Sequence, residues 1–306
     1  VARRRRKPRR RRNTGAFILF FLAALVGGAL IYKALNGSAP VSVPKQAAPR
    51  EMGRRPLFTL PPAPQVAEPS APPTATMKPV GEPSSSPGDH RLAIIIDDCG
   101  QWPQTERALI ALPIAITMSV MPKERYTREI AQAASDAGKG VMLHLPMEPA
   151  AAIDPGPGKI TTQMSDAEVA AQVKEDLAAV PLAKGVNNHE GSKATSDARI
   201  MRDVASVLAP TGLFFIDSRT SAQSVAAQIA GEAGIKTASR DVFLDNEDNV
   251  DAVEKMLRSA GAVALKSGSA IAIGHPRAAT LEAIRTLIPE FQSQGITFTL
   301  ASEMVH

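Results

Sequence analysis

Leu92-Ala93-Ile94-Ile95-Ile96-Asp97-Asp98-Cys99-Gly100 is an apolar run that stops on two carboxylates. Its three consecutive isoleucines favour an extended chain, because branching at Cβ restricts χ1 and packs well on a pleated surface. The run does not alternate with polar residues, so it predicts a strand covered on both faces, as in a parallel sheet flanked by helices. In such folds a strand that ends in ionisable residues delivers them to the rim where chemistry is done. Three other phrases repeat the pattern: Val141-Met142-Leu143-His144-Leu145-Pro146-Met147-Glu148, Gly185-Val186-Asn187-Asn188-His189-Glu190-Gly191-Ser192 and Ala270-Ile271-Ala272-Ile273-Gly274-His275-Pro276.

Strand-length apolar runs recur at Leu92–Ile96, Ala115–Val120, Gly140–Leu143, Gly185–Asn188, Leu213–Ile216, Lys236–Ser239, Ala270–Ile273 and Thr297–Leu300. Amphipathic helices are predicted between most of them. One opens with the capping box Ser165-Asp166-Ala167-Glu168, and another runs from Asp248 to Lys266. Seven or eight strand–helix repeats predict an α/β fold with a closed or distorted barrel rather than an open doubly wound sheet. No Gly-x-Gly-x-x-Gly follows the first strand and no phosphate-binding Gly-Lys-Ser/Thr loop is present, so nucleotide cofactors have no support.

The first 89 residues differ in kind. Residues 1–12 hold nine positive charges, from Arg3 to Arg12, and read as a basic cytoplasmic tail. Asn13 to Tyr32 is uncharged, and as a helix it would rise about 30 Å, the thickness of a bilayer core. Residues 13–35 are therefore expected to be a transmembrane signal anchor, with a cleaved signal peptide as the alternative. Residues 36–89, rich in proline, are expected to be a disordered linker, since 13 of the 25 prolines fall between 37 and 89. The domain itself is expected over 90–306, outside the inner (cytoplasmic) membrane of a bacterium, in the periplasm or its equivalent. Without the nine cations of the tail the chain has 26 lysines and arginines against 30 acids, which argues against a nucleic-acid partner. The single cysteine, Cys99, excludes an intrachain disulfide and reads as a small residue filling a turn.

The strand ends suggest a hydrolytic metal centre. Adjacent residues of a strand point to opposite faces, so Asp97 and Asp98 are expected to divide the work, one binding a cation and the other staying near the water. His144, with Glu148 four residues on, and His189 are the imidazole ligand candidates. Asn187 and Asn188 either form a turn or bring amides to the site. Asp217 with Arg219, and Arg240 with Asp241, pair an acid and a base at strand ends, as ion pairs orienting neighbours or as substrate contacts. His275 is the candidate general acid.

Six phrases together resemble the divergent polysaccharide deacetylase family: Ile95 to Gly100, His144 to Pro149, Gly185 to Ser192, Phe215 to Thr220, Arg240 to Asp245 and Ile273 to Pro276. The resemblance implies a distorted (β/α)7-8 barrel of the polysaccharide deacetylase type and a divalent metal, zinc by preference. It also implies roles: Asp97 as base, Asp98 and His144 as metal ligands, and His275 as acid to the leaving group, while His189, in a phrase peculiar to the divergent group, is taken as the third ligand from its own context. Glu148 stands where ordinary deacetylases carry a second histidine, and Glu148, Asn188, Asp217, Arg219, Arg240 and Asp241 are left as substrate or orienting residues. The expected activity is removal of acetyl groups from a cell-wall or envelope glycan. The alternative is a non-catalytic envelope protein that binds glycan, or docks cell-wall hydrolase machinery, in the same cleft.

Overall fold

The computed structural model describes residues 90–306, in which strands β1 (His90–Cys99), β2 (Thr117–Val120), β3 (Gly140–Met147), β4 (Gly185–Glu190), β5 (Phe214–Asp217), β6 (Thr237–Ser239), β7 (Val242–Phe243), β8 (Ser269–Gly274) and β9 (Ile296–Thr299) alternate with helices. The helices are α1 (Pro103–Ile110), α2 (Thr127–Asp136), α3 (Asp166–Ala179), α4 (Ala198–Leu208), α5 (Ala226–Glu232), α6 (Val250–Ser267) and α7 (Ala278–Ser293). The basic tail, the transmembrane anchor and the proline-rich linker expected from the sequence lie outside the described residues. Among the described residues no helix is long and apolar enough to cross a membrane.

Every strand pairing is parallel, in the order β6-β5-β4-β3-β2-β1-β8-β7, with β9 also pairing with β1. β6 and β7 end that order, yet only Arg240 and Asp241 separate them in the chain, so the sheet curls until its edges nearly meet. Two consecutive residues join its edges: the Arg240 N–H donates to the Asp217 carbonyl of β5 at 3.0 Å, while the Asp241 N–H donates to the Ile271 carbonyl of β8 at 2.9 Å and the Asp241 carboxylate accepts the Ile271 N–H at 2.8 Å. The barrel is therefore the distorted, open form, with no strand ladder recorded between β6 and β7. At the other end of the strands, the Thr237 N–H donates to the His306 carbonyl at 3.2 Å.

Period-two alternation sorts the strand residues into two cores. Leu92, Ile94 and Ile96 of β1 join Met118, Val120, Leu143, Val186 and Phe215 beneath the helices. Ala93 and Ile95 join Met142, Phe214, Ile216, Ile271 and Ile273 inside the curl. Gly185 has no side chain there because the Phe214 ring occupies the space, 2.3 Å from where a Cβ would stand. Continuing the inward rows past the apolar plug gives Asp97, Ser119, His144, Asn187 and Ser218, all buried, at the carboxyl mouth.

The expected strands are present with ends shifted by a few residues, and the capping box opens α3. α6 starts at Val250 because the Asn249 side chain accepts the Ala252 N–H, and it ends at Gly268, whose φ of 84° suits glycine. β7 was not foreseen, since two residues are too short to show a period.

Candidate active site and metal centre

Asp97 and Asp98 do not face apart. Between Ile96 and Cys99 the pairing of β1 with β2 shifts register, and Asp98 takes a left-handed φ of 56°. Such a bulge breaks the alternation. Both carboxylates consequently turn toward His144 Nε2, Asp97 Oδ2 at 3.6 Å and Asp98 Oδ1 at 3.2 Å. Left-handed backbone is costly for a non-glycine residue, and here it sits among the clustered ionisable side chains.

His189 completes a triangle. Its Nδ1 lies 2.9 Å from Asp98 Oδ1 and 3.1 Å from His144 Nε2. Three donors on one tetrahedral cation, each about 2.0–2.1 Å from it, would sit roughly 3.3 Å apart. Asp98, His144 and His189 therefore form a group able to hold a metal ion.

Asn187 sets the protonation of His144. Its Nδ2 donates to Asp97 Oδ1 at 2.8 Å and to Ser218 Oγ at 3.1 Å, which leaves Oδ1 to face His144 Nδ1 at 2.9 Å and to accept from Ser119 Oγ at 2.5 Å. A carboxylate only accepts, so the amide cannot be flipped. His144 must therefore donate from Nδ1 and turn Nε2 to Asp98 and His189, as metal-binding imidazoles do when a hydrogen bond holds their other nitrogen. Asp98 Oδ1 is buried and has no hydrogen bond satisfying it. A buried carboxylate oxygen lacking a donor, beside two ring nitrogens, fits a cation.

His275 enters from the end of β8. Its Nδ1 donates to Asp245 Oδ1 at 2.8 Å, while Asp245 Oδ2 accepts the His275 N–H at 2.7 Å and the Thr280 hydroxyl at 2.8 Å. Nε2 then points inward, 3.7 Å from Asp98 Oδ2. Asp245 is buried and was not singled out as a functional residue from the sequence, although the phrase Arg240 to Asp245 contains it.

Burial pushes the Asp97 carboxyl above its ordinary range, against the opposing pull of His144, His275 and the Asn187 amide. Burial would also raise Asp98, but the His144 and His189 imidazoles standing against it prevail and hold it well below that range. Two adjacent acids are thus driven apart, the condition for assigning them different tasks. Burial works against a charged His275, yet Asp245 and then Asp98 raise its pKa overall.

None of the remaining sequence candidates joins the Asp98–His144–His189 triangle. Glu148 is no substitute ligand: Oε2 accepts the Thr162 N–H at 2.6 Å and hydroxyl at 2.7 Å, Oε1 pairs with Lys193 at 2.7 Å, and the pKa falls to about 2 because these contacts outweigh its desolvation. Asn188 faces the other side of β4, accepting the Ser218 N–H at 2.9 Å and donating to the Glu190 carbonyl at 2.9 Å. Asp217 accepts the Arg219 N–H at 2.8 Å and the Ser224 hydroxyl at 2.7 Å, so it shapes a loop. The Arg219 side chain is exposed, and its carbonyl accepts from Arg240 at 3.1 Å. Arg240 also donates to the Ser218 carbonyl at 2.7 Å and lies close enough to Asp97 for their charges to interact. Asp241 closes the sheet seam. Cys99 is buried, and its thiol is raised by desolvation and nearby carboxylates, which leaves it inert.

The chain is 38% identical over 195 residues to an uncharacterized protein of Haemophilus influenzae, covering 64% of this chain and 70% of that one. It is 35% identical over 216 residues to the uncharacterized protein YibQ of Escherichia coli K12, covering 71% and 67% respectively. A crystal structure of an uncharacterized protein from Agrobacterium tumefaciens C58 shares the fold, with a TM-score of 0.68 at 24% identity over 72% of this chain and 91% of that one. The family model for divergent polysaccharide deacetylases matches residues 94–305, the span that holds every side chain of the cluster, and the protein belongs to that family.

Proposed function

We propose that the protein is a metal-dependent hydrolase that removes acetyl groups from a cell-wall or envelope polysaccharide. The observation that carries this reading is the triangle of Asp98 Oδ1, His144 Nε2 and His189 Nδ1, with Asp97 on one flank and the His275–Asp245 pair on another. A zinc ion held by Asp98, His144 and His189 would supply a Lewis acid for the acetyl carbonyl. Asp97, raised by burial yet bonded to Asn187, accepts the proton of the attacking water. His275 has committed Nδ1 to Asp245, so Nε2 delivers a proton to the departing nitrogen or oxygen. The products are acetate and the free amino or hydroxyl group of the sugar.

The test is metal content of the purified protein together with acetate release from acetylated glycans. Asp97→Asn keeps an acceptor for the Asn187 amide, so it should retain the metal while acetate release falls about 10²–10⁴-fold. A protein that binds no divalent metal and frees no acetate from any glycan is not this hydrolase. In the same proposal residues 13–35 anchor the chain in the inner membrane and 36–89 carry the domain outward to the envelope glycan.

A further inference from the structure

Beside the metal cluster opens a cavity of about 410 Å³, lined by Asp98, Trp102, Thr105, Asp248, His275 and Arg277. Its volume falls within the roughly 300–1,000 Å³ of small-molecule sites. Trp102 is the single tryptophan of the chain and is 49% exposed. So large an apolar surface left in water calls for a reason, and its backbone is not loose. The N–H groups of Gly100, Gln101 and Trp102 all donate to Glu106 Oε1, at 2.9, 3.1 and 2.9 Å, and Glu106 is wholly buried. The indole is thus presented on a pinned turn at the end of β1. Arg277, in the same lining, donates from Nη1 to the Asp245 carbonyl at 2.6 Å, which fixes the guanidinium beside the His275–Asp245 pair.

We propose that this cavity is a sugar-ring subsite, in which Trp102 stacks on a pyranose adjoining the acetylated residue while Arg277 and Asp248 bond its hydroxyls. The proposal rests on the deacetylase reading of the neighbouring cluster. A pyranose offers a face of C–H groups and a rim of hydroxyls. An exposed aromatic face, with a guanidinium and a carboxylate in the same lining, complements both at once. Acid and base in one lining disfavour either net charge: an anion would meet Asp248, and a cation would meet Arg277. The ligand that fits is therefore an uncharged polyhydroxyl ring, and the substrate is an oligosaccharide rather than a single sugar. Because the platform is held in place before binding, little ordering is lost when the ring docks.

The sole tryptophan reports on its own occupancy. The full chain is titrated with a tetramer of N-acetylglucosamine, with an acetylated xylose tetramer and with monomeric N-acetylglucosamine, reading indole emission. Saturable change with at least one tetramer, and little with the monomer, is the expected result. By calorimetry Trp102→Ala should weaken tetramer binding about tenfold, equivalent to roughly 1.4 kcal/mol, while Trp102→Phe stays within about threefold of the parent. In turnover the loss from Trp102→Ala should fall on KM for the tetramer more than on kcat. Acetate release from a tetramer with no change in emission, or equal tetramer affinity in Trp102→Ala, overturns the subsite and leaves the deacetylase standing. Tetramer binding through Trp102 with no acetate release supports the subsite and sinks the hydrolase.

Discussion

The Asn187 amide has one orientation that satisfies Ser119, His144, Asp97 and Ser218 together. That orientation chooses the nitrogen of His144 that meets Asp98 and His189, and it holds the base candidate Asp97 in place. Removing it should not collapse the barrel, since Asn187 belongs to the polar mouth rather than to either apolar core. Asn187→Ala is expected to lower zinc affinity about 10–100-fold with melting behaviour little changed, measured by competition with a chromophoric chelator. Unaltered affinity would mean that the imidazole needs no lock. Strand periodicity could have separated Asn187 from Asn188 in advance, because Gly185, Asn187 and His189 share a parity. The sequence alone leaves the pair between a turn and amides brought to the site, and points to Asn188 rather than Asn187 as the orienting residue.

Among the elements, the bulge at the end of β1 matters most. Regular pleating would send one of the two aspartates outward, whereas the register shift and the left-handed Asp98 bring both onto His144. α3 contributes a different kind of group. Asp176 is fully buried, with Gln172 at 3.0 Å and Lys123 at 3.4 Å on Oδ1 and no hydrogen bond on Oδ2. Burial outweighs both partners and pushes its pKa up to about 7. An unfolded aspartate titrates near pH 4, about three units lower, so the folded chain holds this proton more tightly. Stability from the protonated form is full below about pH 4 and is lost as pH rises through about 7. Asp176→Asn keeps the shape without the charge. It should raise Tm by several degrees at pH 8, of the order of 2–3 kcal/mol, and change little at pH 4. An equal shift at both values in calorimetry would show that the charge is not what destabilises.

Taken whole, the curl of the sheet creates the site, since Asp98, His144 and His189 come from the ends of β1, β3 and β4 and meet only when those strands are paired. A cation held by all three binds the folded chain and has no equivalent site in the unfolded one. At a free zinc concentration about a hundred times Kd this linkage contributes roughly 2.7 kcal/mol. Chelation should therefore lower Tm by about 5–10 °C, and a melting point indifferent to chelator would argue that the triangle holds no metal. The proposed anchor predicts a second behaviour of the whole chain. Protease added to spheroplasts should remove the folded domain and leave a membrane-bound N-terminal fragment. A domain protected from protease, or a freely soluble mature form beginning after Ala39, would rule out the tethered arrangement.

Local pattern in the chain was enough to locate the strands, their parallel arrangement, the capped helices and the ionisable strand ends. Apolar runs, period-two alternation and capping boxes are properties of residues a few positions apart. It also singled out Asp97, Asp98, His144, His189 and His275 as candidates at strand ends, and the structure brings these five together. Tertiary structure alone decided the other partners and commitments: Asp245 behind His275, Glu148 held by Thr162 and Lys193, and Asp241 bonded to β8. The pairs His144–Asn187 and Asp97–Asn187 likewise join residues 43 and 90 apart in the chain. Register and curl set such distances, and a single bulge reverses the face on which a side chain falls.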